Sequence, residues 1–297
     1  MTQRRRSRIS VVVRWIFGLA GLAFLVIAFR ETWDRSRGTP FPGWPVLLVG
    51  TGAIIAGIVM LGAGWVRLLD RGPFRPLARA FYLSQLGKYI PGGIWQPLGQ
   101  IEMTRRMGIP LAAVTASFAV FAAIEVAAGG VVGAVATLVP DARAAVRWGA
   151  ALGLAPLALL YRPVLTRLLA LWPRWSIERV NEVVPGAKPI VRSFLLGCAN
   201  MIATSLAFAA ILSQISPRGH SVVLAAACFS LAWTAGFVAL PVPSGIGVRE
   251  AVLLALLSGP AGAGSVIAAS IVHRLMTLIA EGIVLAWSAY PVRSTTR

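Results

Sequence analysis

Two short stretches of this chain concentrate the residue types that could hold a ligand. One, residues 87–97, reads Gly87-Lys88-Tyr89-Ile90-Pro91-Gly92-Gly93-Ile94-Trp95-Gln96-Pro97; the other, residues 241–250, reads Pro241-Val242-Pro243-Ser244-Gly245-Ile246-Gly247-Val248-Arg249-Glu250. Proline lacks an N–H and glycine frees φ, so a helix cannot run through either stretch. A helix that resumes after such a break presents free N–H groups and the positive end of its dipole, which suits an anion. Lys88 and Arg249 add full charges beside those ends. The expected chemistry is capture of an anionic group such as a phosphate. Lys88, Tyr89, Pro91, Gly92, Gly93, Trp95 and Gln96 would contribute from the first break, and Pro243, Ser244, Gly245, Gly247, Arg249 and Glu250 from the second. The same residues could instead form two interfacial turns, with Tyr89 and Trp95 as ordinary aromatic anchors.

Ionisable residues within apolar runs are the second signal, because burying them is costly. Glu125 sits in the middle of the run Leu111–Val139, and Arg274 and Glu281 share a helix face with Thr277 between them. We expect an interior network that pairs Arg274 or Arg249 with Glu250, Glu281 or Glu125, either lining a path or neutralising itself within the fold. His273 is expected to be packed, and Arg14 to snorkel from the first span. No nucleophile elbow, zinc-protease helix, phosphate loop or dinucleotide fingerprint is present. No enzymatic activity, metal or cofactor is therefore expected.

The elements that must position these residues are membrane helices. Of the 297 residues, 57% are hydrophobic and only 13% charged, against about 25% charged in soluble domains. Backbone in lipid must satisfy itself, and the runs lack the alternation of a barrel strand, so the fold class is all-α and polytopic. Six segments read as full spans: Ile9–Phe29, Pro45–Val66, Leu111–Val139, Ala144–Leu160, Val191–Ile215 and Ser265–Trp287. The first follows Arg4, Arg5, Arg6 and Arg8 but is too long for a signal peptide, so we read it as an uncleaved span. The net charge of +18 follows from basic cytoplasmic loops rather than from nucleic-acid binding, for which no motif is present. Cys198 and Cys228 both lie in apolar runs and read as small packing residues.

Arginine and lysine crowd alternate loops, which places both termini on the cytoplasmic side. Ser221–Leu240 and Val248–Ser258 are either two further spans, the latter very short, or a hairpin entering from outside and turning at the second break. Leu77–Gly108 would then be a matching hairpin entering from the cytoplasm and turning at the first. On that reading one membrane domain contains two inverted pseudo-repeats, residues 45–139 and 191–289, a plan common among transporters.

The stretch Gly87–Trp95, followed by Pro243–Ala251 (Pro-Ser-Gly-Ile-Gly-Val-Arg-Glu-Ala), resembles the paired signature of the lysylphosphatidylglycerol synthase transmembrane-region family, also called flippase-like. His273-Arg274 and Glu281 fit that pattern, whereas Ser244 stands where the family often has glycine. The resemblance covers residues from about 10 to 290 and lacks the aminoacyl-transferase domain of the bifunctional members. It implies a lipid translocator of the bacterial cytoplasmic membrane, moving an anionic or polyprenol-linked lipid, with a homo-oligomer or a synthase as further partner. Two other readings stay open. A membrane-embedded enzyme or subunit of lipid modification would bring Glu125 and Glu281 together around a reactive atom. A scaffold acting through basic loops would have a packed interior without a cavity.

Overall fold

The computed structural model describes residues 41–90, 94–139, 144–170, 180, 182–239 and 243–289. The expected first span, with Arg14, lies outside the described residues, as do Pro91, Gly92, Gly93, Pro241 and Val242. Among the described residues every regular element is helical.

Among the described residues, four helices are long and apolar enough to cross a membrane. They are α1 (Trp44–Leu69), the helix over 111–138, and two later helices that begin at Ala187 and Ala263. The second is α4 (Leu111–Ala134), continued by a 3-10 turn over Val135–Leu138. Between α1 and α4 lie two short helices, α2 (Phe74–Ser84) and α3 (Trp95–Arg105). Each has 11 residues, or roughly 16 Å at the helical rise, about half a hydrocarbon core.

The expected span Ala144–Leu160 is helical throughout but changes type along its length. α5 (Ala144–Leu154) tightens into a 3-10 helix over Ala155–Leu160, and the chain then bends by 81° towards α6 (Arg162–Ala170). Pro156 lacks the N–H an α-helix would use there. Counting that bent pair as one crossing raises the number of spans to five.

The second half contains α7 (Ala187–Ile215), α8 (Val222–Val238), α9 (Val248–Ala261) and α10 (Ala263–Ala289). The outward sides of the long helices expose Leu48, Val49, Leu195, Ile202, Ile279 and Ile283. So large an apolar exterior suits hydrocarbon better than water.

One seam joins the two halves. On α1, Gly50, Gly57 and Gly64 recur every seven residues, and on α7 they meet Ala207, Asn200 and Ser193, which recur in the opposite order. The two helices are therefore antiparallel, and the small residues let their backbones approach closely. The Ser193 hydroxyl donates to the Gly64 carbonyl at 2.8 Å, fixing the register. This is the relative direction that two inverted repeats require of their leading helices.

Two hydrophobic cores lie beside that seam, each drawing residues from both halves. Trp65, Phe81 and Phe121 anchor one, and Phe208, Phe229 and Leu253 the other. Cys228 is fully buried in the second, a packing residue as expected.

A Cβ at Gly57 would strike the Asn200 side chain and lie 3.5 Å from its Cα, whereas a Cβ at Gly52 meets nothing. Gly57→Val should destabilise the fold by about 1–3 kcal/mol through overpacking. Gly52→Val should leave the midpoint of thermal unfolding in micelles nearly unchanged. Equal midpoints for the two variants would refute the seam.

Candidate functional site

The first break is built by α2 and its continuation. α2 buries Leu77, Ala78, Phe81 and Tyr82 on one face. The Phe81 ring lies 5.7 Å from Trp65 and stands edge-on to Phe121 at 5.3 Å, so aromatic packing fixes the limb. The helix tightens to 3-10 over Gln85–Tyr89 and reaches extended backbone at Ile90. A Cβ at Gly87 would lie 2.5 Å from the backbone nitrogen of Gln96. Only glycine allows the start of α3 to approach so closely, and that fold-back carries Lys88 and Tyr89 to the tip of the pair.

The second break is left-handed. Ser244, Gly245 and Gly247 have φ of 51°, 63° and 85°. Positive φ strains a residue with a Cβ, so Ser244 is the exception that its surroundings must hold. A Cβ at Gly245 would come within 2.6 Å of the Gly236 Cα, so α8 and the break touch along their backbones. The break aims α9 so that Arg249 and Glu250 point inward from its first turn. The Glu250 carboxylate accepts from the Gly247 N–H at 2.7 Å. One of the donors expected to await an anion is thus already occupied.

Both breaks are tied to one face of α10. The Lys88 ammonium pairs with the Glu281 carboxylate, and the Tyr89 hydroxyl donates to its other oxygen at 2.7 Å. One turn pair earlier on the helix, Arg274 Nε donates to Glu250 at 2.9 Å, with the Ser270 hydroxyl on the same oxygen at 3.1 Å. Arg249 lies over the Phe229 ring, 4.6 Å from its centroid, and donates to His273 Nδ1 at 3.3 Å. The other imidazole nitrogen faces the Thr204 carbonyl at 3.2 Å, which can only accept, so Nε2 carries the proton.

These side chains surround a cavity of about 210 Å³. Lys88, Tyr89 and Gln96 line it from the first break, Ser244, Gly245 and Arg249 from the second, and Arg274 and Glu281 from α10. α4 contributes Glu125, and α7 contributes Asn200 and Thr204. Glu250 holds Arg274 from behind this wall without lining it, and Trp95 and Gly247 do not line it. Two guanidinium nitrogens, Nε of Arg249 and one terminal nitrogen of Arg274, are buried without a partner, as are both oxygens of Glu125.

Of the expected pairings, Arg274 with Glu250 is present, while the other two carboxylates have different surroundings. Glu281 pairs with Lys88 rather than with an arginine, because the fold-back at Gly87 delivers the lysine to it. Among the described residues Glu125 has no basic partner, and Gly197 of α7 packs against its carboxylate. His273 is packed against Phe208 and Phe229, as expected, and it also holds Arg249. Asn200 and Thr204 were missed, although two polar residues four apart in an apolar span mark one inward face. Glu125 and Glu281 share the cavity, but Glu281 is engaged with Lys88 and Tyr89.

At the far end of α3 the charges face outward. Glu102 accepts from Arg106 at 3.1 Å and from Arg105 at 3.2 Å. The Arg106 hydrogen bond, followed by the Arg105 charge, holds this carboxyl below its usual range. Such exposed pairs contribute little to stability.

The chain matches no protein-family model and no curated protein.

The Lys88–Glu281 pair can be isolated by a double-mutant cycle with Lys88→Met and Glu281→Gln. Unfolding in micelles should show a coupling of about 1–3 kcal/mol between contacting partners. Zero coupling would mean that the first break is not held by α10.

Proposed function

We propose that this chain is a flippase-like transporter that moves an anionic or polyprenol-linked lipid across the bacterial cytoplasmic membrane. Its head group would be held between the two breaks. The observation that carries this reading is a cavity walled by both breaks and lined by Arg249 and Arg274, each of which also has one buried guanidinium nitrogen without a partner. A buried donor without an acceptor is costly, and a phosphate oxygen is the acceptor that a planar guanidinium fits best. The cavity is smaller than the roughly 300–1,000 Å³ of common ligand pockets, so a head group enters while acyl chains stay in the bilayer.

Two re-entrant hairpins are the topology that best serves this function. The α2–α3 pair has a half-buried tip at Lys88, while Arg75, Arg79, Glu102, Arg105 and Arg106 are exposed away from that tip. Charged residues at the mouth of a hairpin and one paired charge at its apex fit entry from a basic cytoplasmic surface. On this reading the α8–α9 pair enters from the opposite side, and both termini are cytoplasmic. The non-helical backbone at each apex is tolerated because it borders a wet cavity. The resemblance to the lysylphosphatidylglycerol synthase transmembrane region agrees with this assignment. It leaves open a second copy or a partner synthase as company, and it assigns the chain no catalytic step. A scaffold with a filled interior is disfavoured by the cavity itself.

Reconstituted vesicles carrying labelled phosphatidylglycerol provide the test. Lys88→Ala and Arg249→Ala should each slow translocation about tenfold or more, the equivalent of one charge-assisted hydrogen bond. Both proteins should remain folded by size-exclusion chromatography and circular dichroism. Wild-type rates in both folded variants would overturn the proposal.

A further inference from the structure

Glu125 is the one buried group around the cavity whose chemistry the head-group reading does not use. It lies midway along α4, is 1% exposed, and neither carboxylate oxygen has a hydrogen-bond partner. Gly197 of α7 packs against it: a Cβ placed there would sit 3.1 Å from Oε1. A bare carboxylate in such a place is heavily penalised, and among the described residues no cation neutralises it.

The titratable neighbours supply no counter-charge. α7 brings the Cys198 thiol close enough to feel the Glu125 charge, while its Lys188 and Arg192 are exposed near the start of the helix. α8 brings only the buried Cys228. Arg67 on α1, Glu102 and Arg105 on α3 and Arg147 on α5 are all exposed, and the segment 155–160 has no ionisable side chain. Across the cavity, Tyr89 and Glu281 are bonded to each other and to Lys88, while Arg249 and Arg274 face His273 and Glu250. A metal ion would need several oxygen ligands, and no cluster of three candidate ligands occurs among the described residues. A proton needs only the carboxylate.

We propose that Glu125 is an exchangeable proton site whose protonation is coupled to binding of an anionic head group in the same cavity. This rests on the head-group reading above and adds to it a coupling ion. The charge balance shows why the two events are linked. Lys88, Arg249 and Arg274 stand against Glu250 and Glu281, which leaves one unit of positive charge when Glu125 carries a proton. That excess matches a phosphodiester monoanion. When Glu125 is ionised the excess disappears and the anion loses its counter-charge. Proton and anion therefore favour each other's binding, and by linkage each raises the affinity of the other equally. No bond other than the carboxyl O–H forms or breaks.

The test uses the purified full chain in weakly buffered detergent solution, with short-chain phosphatidylglycerol as probe and inorganic phosphate and short-chain phosphatidylcholine as comparators. Binding of phosphatidylglycerol should take up about one proton at alkaline pH, with affinity falling about tenfold per pH unit there. Uptake with phosphatidylglycerol but not with phosphate identifies a lipid as the source of the anion. Equal uptake with both identifies free phosphate as sufficient and leaves the coupling standing. Glu125→Gln should bind without uptake and with a flat pH profile. Should that variant misfold, wild-type uptake alone decides. Phosphatidylglycerol binding without proton uptake, at constant affinity across the pH range of the folded protein, overturns the coupling and leaves the head-group site intact. If neither probe binds at any pH, the head-group reading fails instead. The carboxylic-acid carbonyl band in the infrared, present in wild type and absent from Glu125→Gln, then still decides the proton site.

Discussion

One face of α10 holds the two breaks together. Arg274 reaches the second break through Glu250, and Glu281 reaches the first through Lys88 and Tyr89. Neither break could hold its position by packing alone, since each lacks the continuous backbone ladder that makes a membrane helix self-sufficient. The ion pairs replace that ladder with contacts between elements that are distant in sequence. Desolvating such charges costs more than an isolated pair returns, so their retention points to a specific arrangement rather than to stability. The cavity is a consequence: two interrupted helices pinned to a third cannot close the space between their tips.

The glycine-rich seam between α1 and α7 supplies the rigid frame that this arrangement needs. Seven-residue spacing on both helices lets two antiparallel backbones meet over their length. Van der Waals packing and hydrogen bonds such as Ser193 to Gly64 hold helices together where lipid offers no hydrophobic drive. With the leading helices of the two halves fixed, α4 and α10 place Glu125 and the Arg274–Glu281 face on the same cavity. Fold and site are then two results of one pattern, small residues at crossings and ionisable residues facing inward.

Much of this was legible in the residues, and the rest failed for identifiable reasons. Long apolar runs fixed α1, α4, α7 and α10 because hydrocarbon tolerates little else. Both breaks were visible because proline and glycine act locally on the backbone. Ala144–Leu160 was read as a full span because hydropathy does not register the 3-10 tightening at Pro156 or the 81° turn beyond Leu160. The partners within the polar network were not legible either. Lys88 and Glu281 are 193 residues apart in sequence, and only the close approach at Gly87 brings them together. The isolation of Glu125 is likewise a property of its neighbours on α7, which composition cannot reveal. The heptad of Gly50, Gly57 and Gly64 was readable and predicts a close helix crossing, although its partner helix was not.

The central claim is that both breaks meet at membrane depth around a space that receives an anionic head group. A cryo-electron microscopy structure of the full chain in nanodiscs containing phosphatidylglycerol tests it most directly. Phosphate density is expected within hydrogen-bond distance of Arg249 and Arg274, between the tips of the α2–α3 and α8–α9 pairs and inside the lipid boundary. Breaks lying at the aqueous surface, or a cavity filled by side chains with lipid excluded, would contradict it.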